Sequence, residues 1–153
     1  MDSNEFYKLL KTSFPFTPTA KQNIGLQQLS NFIFSKVANE IFVLKGFAGT
    51  GKTTIIGGIV KNLWNAQKNA VLLAPTGRAA KVISNYSQKE AFTIHKKIYV
   101  PRSEKNGKIS FVLAPNKHKK TLFIVDEASM IGQSSSDSVF GSGNLLSDLL
   151  RYV

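Results

Sequence analysis

The segment 46–53 constrains the fold of this chain more than any other feature. It reads Gly-Phe-Ala-Gly-Thr-Gly-Lys-Thr and matches the pattern G-x-x-x-x-G-K-T. The apolar run 41–44 directly before it is typical of a buried strand, and the stretch 53–66 after it is predicted to be helical. In such a unit, glycines let the backbone bend closely around an anion, with consecutive N–H groups and the helix N-terminus pointing toward it. The segment is therefore predicted to bind phosphate; the alternative is a plain glycine-rich turn before a helix.

The rest of the chain alternates predicted helices with short apolar strands. Thr17 and Pro18 suit the cap and the first position of a helix whose apolar residues recur every three or four positions as far as Val37. Continuous apolar strands are expected in a parallel sheet that helices cover on both faces. The chain is therefore predicted to be an α/β protein with a doubly wound sheet. Its strands are expected at 41–44, 70–74 and 122–125, and a further crossover helix at 78–85.

Three later segments depart from this alternation. Residues 98–113 hold two strand-like runs around Asn106-Gly107, which predicts a β-hairpin inserted between the second and third strands. Residues 132–144 contain five serines and three glycines and are expected to form a mobile loop. A last helix is predicted at 145–152.

Charge is concentrated in the middle of the chain. Residues 77–120 hold eleven Lys and Arg against two acids, a net charge of +9 within a chain of net charge +11. Such a block is expected to bind a polyanion such as a nucleic acid, and a solvated lysine-rich face is an equally good explanation of the charge alone. The chain has no cysteine, no apolar stretch long enough to span a bilayer and no secretory signal. It is therefore expected to be a cytoplasmic protein without disulfides.

An acid pair follows the third predicted strand. Asp126 and Glu127 end the run 122–125, and ligands of open α/β sheets gather at the carboxyl ends of the strands. Asp126 is predicted to hold Mg²⁺, and Glu127 to deprotonate the water that attacks the γ-phosphate. A capping role for Asp126 and a surface role for Glu127 are the alternatives. A catalytic base of this kind indicates ATP hydrolysis, whereas kinases transfer the phosphoryl group to a bound acceptor.

Taken together, these motifs resemble those of superfamily 1 DNA helicases, most closely the RecD/Dda/Pif-like branch that moves 5′ to 3′ on single strands. The resemblance covers residues 14–131 and rests on the order and spacing of GFAGTGKTT (46–54), APTGRAAK (74–81), TIH (93–95) and VDEASMI (125–131), with a preceding segment similar to the Q motif, FTPTAKQ (16–22). It implies an N-terminal RecA-like ATP-binding domain over 1–153, of the P-loop NTPase fold, with a small inserted hairpin subdomain at about 98–118.

The resemblance also implies roles for individual residues. Gln22 would select adenine, while the residues implied to hold the phosphates of ATP are Gly46, Ala48, Gly49, Thr50, Gly51, Lys52, Thr53 and Thr54. Thr53 and Asp126 would bind Mg²⁺, and Lys52, Asp126 and Glu127 would be catalytic. DNA contacts are implied for Pro75, Thr76, Gly77, Arg78, Thr93 and His95, and, from the hairpin's location as a duplex-splitting pin, for Arg102 and Lys105.

Several of these residues have plainer explanations. Gln22 fits an exposed helix position, and His95 fits a packed core histidine. Thr76 and Gly77 fit a turn that ends a strand. Aromatic residues in the short strands are more often packing residues than base-stacking ones, and the hairpin fits a solvated decoration.

The chain departs from the family beyond the acid pair. The second RecA-like domain and its transition-state arginine are missing, and the three arginines present, Arg78, Arg102 and Arg151, do not match that position. The expectation is an ATP-dependent 5′-to-3′ helicase, with single-stranded DNA or a junction as substrate, whose first motor domain alone does not unwind DNA. The alternatives are a nucleotide-dependent nucleic-acid-binding module without helicase activity and, less well supported by the few arginines, a P-loop kinase.

Overall fold

The computed structural model describes residues 1–104, 107–132 and 139–153. They form two compact units. The first comprises Met1–Ala70 and Tyr86–Gln88, and the second comprises Val71–Asn85 and Lys89–Val153.

The first unit is helical. Its helices are α1 (Ser3–Ser13), α2 (Ala20–Phe34) and α3 (Lys52–Asn62), and α3 continues into a 3₁₀ turn at Leu63–Ala66. Helix α1, which was not predicted, begins with a capping box in which Asp2 and Glu5 each accept the other's backbone N–H. The core residues of this unit are Phe6, Leu10, Leu26, Leu29, Ile33, Ile55, Ile59 and Leu63.

Helix α2 is shorter than predicted and has a different cap. Its N-cap is Thr19, not Thr17, because the Thr19 hydroxyl accepts the N–H of Gln22 while the Gln22 side chain accepts the N–H of Thr19. Pro18 therefore precedes the cap instead of opening the helix. The helix ends at Phe34 because Ser35 leaves helical geometry, so Val37 is an exposed residue beyond it.

The strand predicted at 41–44 is wrong for this structure. These residues belong to no strand among the described part of the chain, and Ile41 and Val43 are each more than 60% exposed. Phe42 packs its ring against Phe32 of α2, with 5.5 Å between centroids. The run thus buries one side against a helix, whereas a central strand buries both faces.

The second unit contains a three-stranded sheet. Its strands are β1 (Asn69–Ala74), β2 (Ala91–Thr93) and β5 (Thr121–Val125), in the order β2-β1-β5. Strands β1 and β2 are parallel, with Ala74 opposite Thr93. Helix α4 (Gly77–Ser87) connects them, so the predicted α/β class and parallel sheet are confirmed. Strand β2 was not predicted, because three residues carry too little pattern.

The predicted hairpin is confirmed. Helix α5 (Ile94–Ile98) leads into β3 (Tyr99–Ser103), which pairs antiparallel with β4 (Ile109–Leu113). Within the predicted turn, Asn106 lies outside the described residues, and Gly107 has a φ of +79°.

The last helix, α6 (Leu145–Tyr152), is also confirmed. Of the loop expected to be mobile, residues 133–138 lie outside the described part, whereas 139–144 are held in place. Phe111 donates its N–H to Val139 and accepts that of Gly141, and the rings of Phe111 and Phe140 stack at 4.5 Å. Among the described residues, no helix combines the length and apolar content that crossing a bilayer needs.

Candidate nucleotide-binding site

The phosphate loop bends at two glycines. Gly49 and Gly51 have φ angles of +76° and +87°, a region that side chains with a Cβ rarely adopt. Gly51 is the N-cap of α3 and has no side-chain cap, and the first helical bond runs from the N–H of Ile55 to the Gly51 carbonyl. The N–H groups of the first turn are therefore unused within the helix, which is the arrangement that binds an anion.

Lys52 lies folded over its own loop. Its Nζ donates to the carbonyl oxygens of Gly46 and Phe47, at 2.7 and 2.8 Å. The Thr50 hydroxyl also donates to the Phe47 carbonyl, at 2.8 Å. A Cβ at Gly46 would lie only 2.6 Å from Thr50 Oγ1, so a side chain at Gly46 would force the Thr50 hydroxyl to move from its bond to Phe47. The loop thus carries a positive charge next to the unused N–H groups at the start of α3, and both fit a phosphate chain.

The remaining loop residues differ in exposure. Ala48 and Phe47 are exposed, whereas Thr53 and Thr54 lie half-buried in the first turn of α3. A threonine hydroxyl is a hard oxygen ligand of the kind that Mg²⁺ prefers, so Thr53 fits the predicted metal role.

Gln22 is tied to the loop. Its Oε1 accepts the N–H of Thr19, and its Nε2 donates to the Thr50 carbonyl, both at 3.0 Å. No sequence pattern indicates this second bond, since it joins residues 28 positions apart.

The acid pair, in the second unit, follows β5 as predicted. Asp126 is half-buried and donates its N–H to the carbonyl of Leu73 in β1, at 3.0 Å. Its Oδ1 accepts the N–H of Glu127, also at 3.0 Å. Glu127 is exposed, has a φ of +52°, and opens a 3₁₀ turn at Ala128–Met130 without capping it. A non-glycine residue in this conformation is strained, and such strain is frequent at functional sites.

Two of the residues predicted to contact DNA are helix caps. Thr76 Oγ1 accepts the N–H of Ala79 at the start of α4, and Thr93 Oγ1 accepts the N–H of Lys96 at the start of α5, both at 3.2 Å. Ala74, the last residue of β1, pairs with Thr93, the last residue of β2. The exposed segment 76–78, which follows β1, therefore lies at the same edge of the sheet as the Thr93 cap. Pro75 joins β1 to this segment.

The other predicted contacts are placed differently. The ring of His95 packs edge-on against Phe140, at 5.2 Å, and lies 5.8 Å from Tyr99, so the structure gives it a packing role. Arg102 is exposed on β3, and Lys105 lies outside the described residues.

Sequence reasoning missed a cleft beside α4. It has a volume of about 330 Å³ and is lined by Gly77, Ala80, Lys81, Ser84, Asn85, Glu90, Ala91, Phe92, Thr93 and Lys96. Lys96 and Lys97 place their ammonium groups 5.9 and 5.0 Å from the Phe92 ring centroid. The charge of the block 77–120 was the available signal, but only the fold shows that Lys81 and Lys96 line one cleft.

A family model described as "AAA domain" matches residues 30–142, which is most of the chain. The chain belongs to this family. The matched part of the AAA domain contains both the phosphate loop and the acid pair, while Gln22 lies before it.

Known proteins with similar sequences include helicases. The chain is 39% identical over 90 residues to the ATP-dependent DNA helicase dda of Enterobacteria phage T4, covering 57% of the chain and 20% of the helicase. It is 29% identical over 116 residues to the ATP-dependent RecD2 DNA helicase of Deinococcus radiodurans, covering 74% of the chain and 15% of that protein. An uncharacterized protein of Acanthamoeba polyphaga mimivirus is 32% identical over 141 residues, covering 78% of the chain and 28% of that protein. No solved structure matches.

These matches confirm the predicted resemblance of this AAA domain to superfamily 1 helicases of the RecD/Dda-like branch. The chain spans less than a third of the length of each of these relatives.

Proposed function

We propose that this chain is the ATP-binding motor domain of an ATP-dependent DNA helicase that moves 5′ to 3′ on single strands. The observation that carries the proposal is the phosphate loop, in which Lys52 and the unused N–H groups at the start of α3 lie together. The names of two relatives support the helicase assignment, and the direction of movement is supported by the family resemblance alone.

The loop binds the triphosphate by exchanging its internal bonds for bonds to phosphate oxygens. The ammonium of Lys52 leaves the carbonyls of Gly46 and Phe47 and neutralises charge on the β- and γ-phosphates. The N–H groups of the first turn of α3 donate to the same chain of oxygens. Binding therefore requires no new side chain to enter the loop.

Thr53 and Asp126 are the proposed oxygen donors to Mg²⁺, which would neutralise the charge that develops on the phosphates during hydrolysis. The Asp126 carboxylate is held by the N–H of Glu127, which leaves Oδ2 for the metal or its water shell. Glu127 makes no capping bond and is exposed, so its carboxylate is available to orient and deprotonate the attacking water.

Single-stranded DNA is the proposed partner of the second unit. The exposed residues Thr76, Gly77 and Arg78 lie at the carboxyl edge of the sheet, and Lys81 and Lys96 line the cleft beside them. Lysines on such a surface bind the phosphate backbone, which gives affinity that is insensitive to sequence and sensitive to salt. Arg102, exposed on the hairpin, is a further proposed contact to DNA.

The second RecA-like domain of a longer polypeptide is the proposed partner for catalysis. Without the arginine that such a domain contributes, hydrolysis is expected to be slower by about 10³–10⁵. We therefore expect the 153-residue chain alone to bind ATP, to hydrolyse it slowly and not to unwind DNA. The absence of cysteine supports a reducing, cytoplasmic compartment.

A titration with ATP and Mg²⁺ tests the phosphate site. We expect Lys52→Ala to weaken binding about ten- to a hundredfold, because it removes charged hydrogen bonds to the phosphates. Lys61→Ala, at the exposed last turn of the same helix, is the matched control and should leave the affinity unchanged. Equal affinities of all three proteins would contradict the assignment of the loop.

Binding of a labelled oligothymidine at several salt concentrations tests the DNA surface. Lys81→Ala and Lys96→Ala combined should weaken binding and lower the salt slope by about 1.4, whereas Lys36→Ala, in the other unit, should change neither. An unchanged slope would remove the cleft from the interface. Unwinding assays on the longer protein then separate a helicase from a nucleotide-dependent binding module.

A further inference from the structure

The connection between β4 and β5 carries a second concentration of positive charge in the second unit. Residues 116–120, here called the basic loop, read Asn-Lys-His-Lys-Lys and contain no acid. Lys117, Lys119 and Lys120 are all exposed, and none of the three forms an ion pair with a carboxylate of the described residues. None of them lines the cleft beside α4. Their charges are therefore available to an anion outside that cleft.

Contacts within and beside the basic loop hold its backbone in place. Asn116 Oδ1 accepts the N–H of His118, at 2.9 Å. The Thr121 hydroxyl donates to the carbonyl of Lys119, also at 2.9 Å. The ring of His118 packs edge-on against Phe123 of β5, with 5.5 Å between the centroids. A backbone that is already fixed loses less conformational entropy when a ligand binds, so the lysines of the loop are well placed to bind one.

Lys97 lies between the cleft and the basic loop. Its Nζ is 5.0 Å from the ring centroid of Phe92, which lines the cleft, and its neighbour Lys96 lines the cleft as well. Burial lowers the pKa of His118, and the charge of Lys97 is the second cause of that lowered pKa. Lys97 is therefore close to the basic loop too, and positive charge continues from the cleft through Lys97 to the loop.

We propose that a single strand bound in the cleft continues across Lys97 onto the basic loop, where Lys117, Lys119 and Lys120 contact its phosphates. The inference deepens the proposed DNA-binding function and rests on it, because the cleft supplies the first part of the path. A backbone of regularly spaced phosphates can use all of these charges at once, whereas a single small anion cannot. Contacts to phosphates carry no base information, so the loop adds affinity that is insensitive to sequence and sensitive to salt.

The test measures binding of a labelled oligothymidine of about sixteen nucleotides at several salt concentrations, without ATP. Replacing Lys117, Lys119 and Lys120 together by glutamine removes three phosphate contacts. We expect the slope of log K against log salt to become shallower by about 2, at about 0.7 for each contact to a single strand. An unchanged slope would overturn the proposal.

The number of strands bound tests whether the path is continuous. The wild-type chain should bind one oligomer of this length, and the slopes lost in the loop variant and in Lys81→Ala combined with Lys96→Ala should add when all five changes are made. Two oligomers bound by one wild-type chain would show two separate sites and overturn the proposal.

Two control variants separate the charge of the loop from other effects. Three exposed lysines of the first unit, replaced together by glutamine, remove the same net charge and should leave the slope unchanged; they are Lys8, Lys11 and Lys36. An equal loss of slope in this control would show that net charge alone governs binding and would overturn the proposal. Replacing the three loop lysines by arginine keeps their charge and should preserve the wild-type slope, so a slope as shallow as that of the glutamine variant would also overturn it.

The outcomes also distinguish this inference from the proposed function. Failure of the wild-type chain to bind the oligomer would overturn the inference together with the proposed DNA surface. Binding that depends on Lys81 and Lys96 but not on the basic loop would overturn the inference alone. Binding that depends on the basic loop, in a chain that fails to bind ATP, would refute the proposed motor function and support the path across the loop.

Discussion

The most sharply defined buried contact in the second unit centres on Asp148, and replacing it by alanine should destabilise the chain. Asp148 is 1% exposed, and its Oδ2 accepts the hydroxyl of Tyr99 at 2.7 Å and the N–H of Ser142 at 2.8 Å. These bonds connect α6 to the hairpin and to the segment 139–144. Asp148→Ala removes the acceptor and leaves both donors without their partner.

The expected loss follows from the burial of each donor. A buried donor without a partner costs about 1–3 kcal/mol, and Tyr99 is buried while Ser142 is exposed enough to bond to water. Part of this loss of stability is offset, because the substitution also removes Asp148 Oδ1, a buried oxygen without a hydrogen-bond partner that lies 4.0 Å from Arg151. We therefore expect the free energy of unfolding to fall by about 1–2 kcal/mol, an appreciable share of the roughly 5–15 kcal/mol typical of a domain.

Urea denaturation followed by circular dichroism measures this loss. Asp148→Asn keeps an acceptor and should cost less than Asp148→Ala, and Ser147→Ala, exposed on the same helix, should cost almost nothing. In a double-mutant cycle with Tyr99→Phe, the two losses should be less than additive. Equal stabilities of Asp148→Ala and Ser147→Ala, or additive losses in the cycle, would refute the reasoning.

Four further predictions concern stability. Gly141→Ala should lower the free energy of unfolding by about 2–4 kcal/mol in the same denaturation assay. The reason is that the added Cβ would overlap Asp148 Oδ2 and lie 2.7 Å from Tyr99 Cε1. A loss below about 1 kcal/mol would contradict the packing described. Burial alone would raise the pKa of Asp148, but the bonds from Tyr99 and Ser142 and the charge of Arg151 lower it. The stabilisation by the Asp148 carboxylate is therefore present above the ordinary pKa of 3.8 and is lost as the pH falls below that value. Asp148→Asn should not show this loss. Burial, followed by the bond to Asp148, raises the pKa of Tyr99, so stability should also fall as the pH rises above 10.0, and Tyr99→Phe should reduce that fall to the part due to Tyr152. Glu127→Gly should raise the free energy of unfolding by about 1 kcal/mol, because glycine adopts the positive φ of this position without strain. Glu127→Gln keeps the Cβ and should leave the free energy unchanged. Equal stabilities of the two variants would show that the backbone there is unstrained.

Local signals were sufficient where one segment determines its own structure. The glycines and lysine of 46–53 predicted a tight loop that leads into α3, and the apolar run 70–74 predicted β1. The cap of α2 was also readable, because Thr19 and Gln22 have the spacing of a capping box; Thr17 was preferred only because Pro18 suits a first helical position.

Contacts between distant segments were not readable in this way. An apolar run such as 41–44 indicates that its residues will be partly buried, but it does not indicate whether they will form a strand of a sheet or pack against a helix. The bond from Gln22 to Thr50 and the burial of Asp148 depend on where other elements lie, so no spacing of residues along the chain predicts them. The packing of His95 against Phe140 is of the same kind.

The central claim is that a triphosphate binds in the loop 46–53. Its most direct test is a titration of the isotope-labelled chain with tripolyphosphate and Mg²⁺, in which the amide resonances are monitored by NMR. We expect the largest shifts at Gly49, Gly51, Lys52 and Thr53, where unused N–H groups face the ligand. Saturable shifts confined to other residues, with these four unmoved, would contradict the claim.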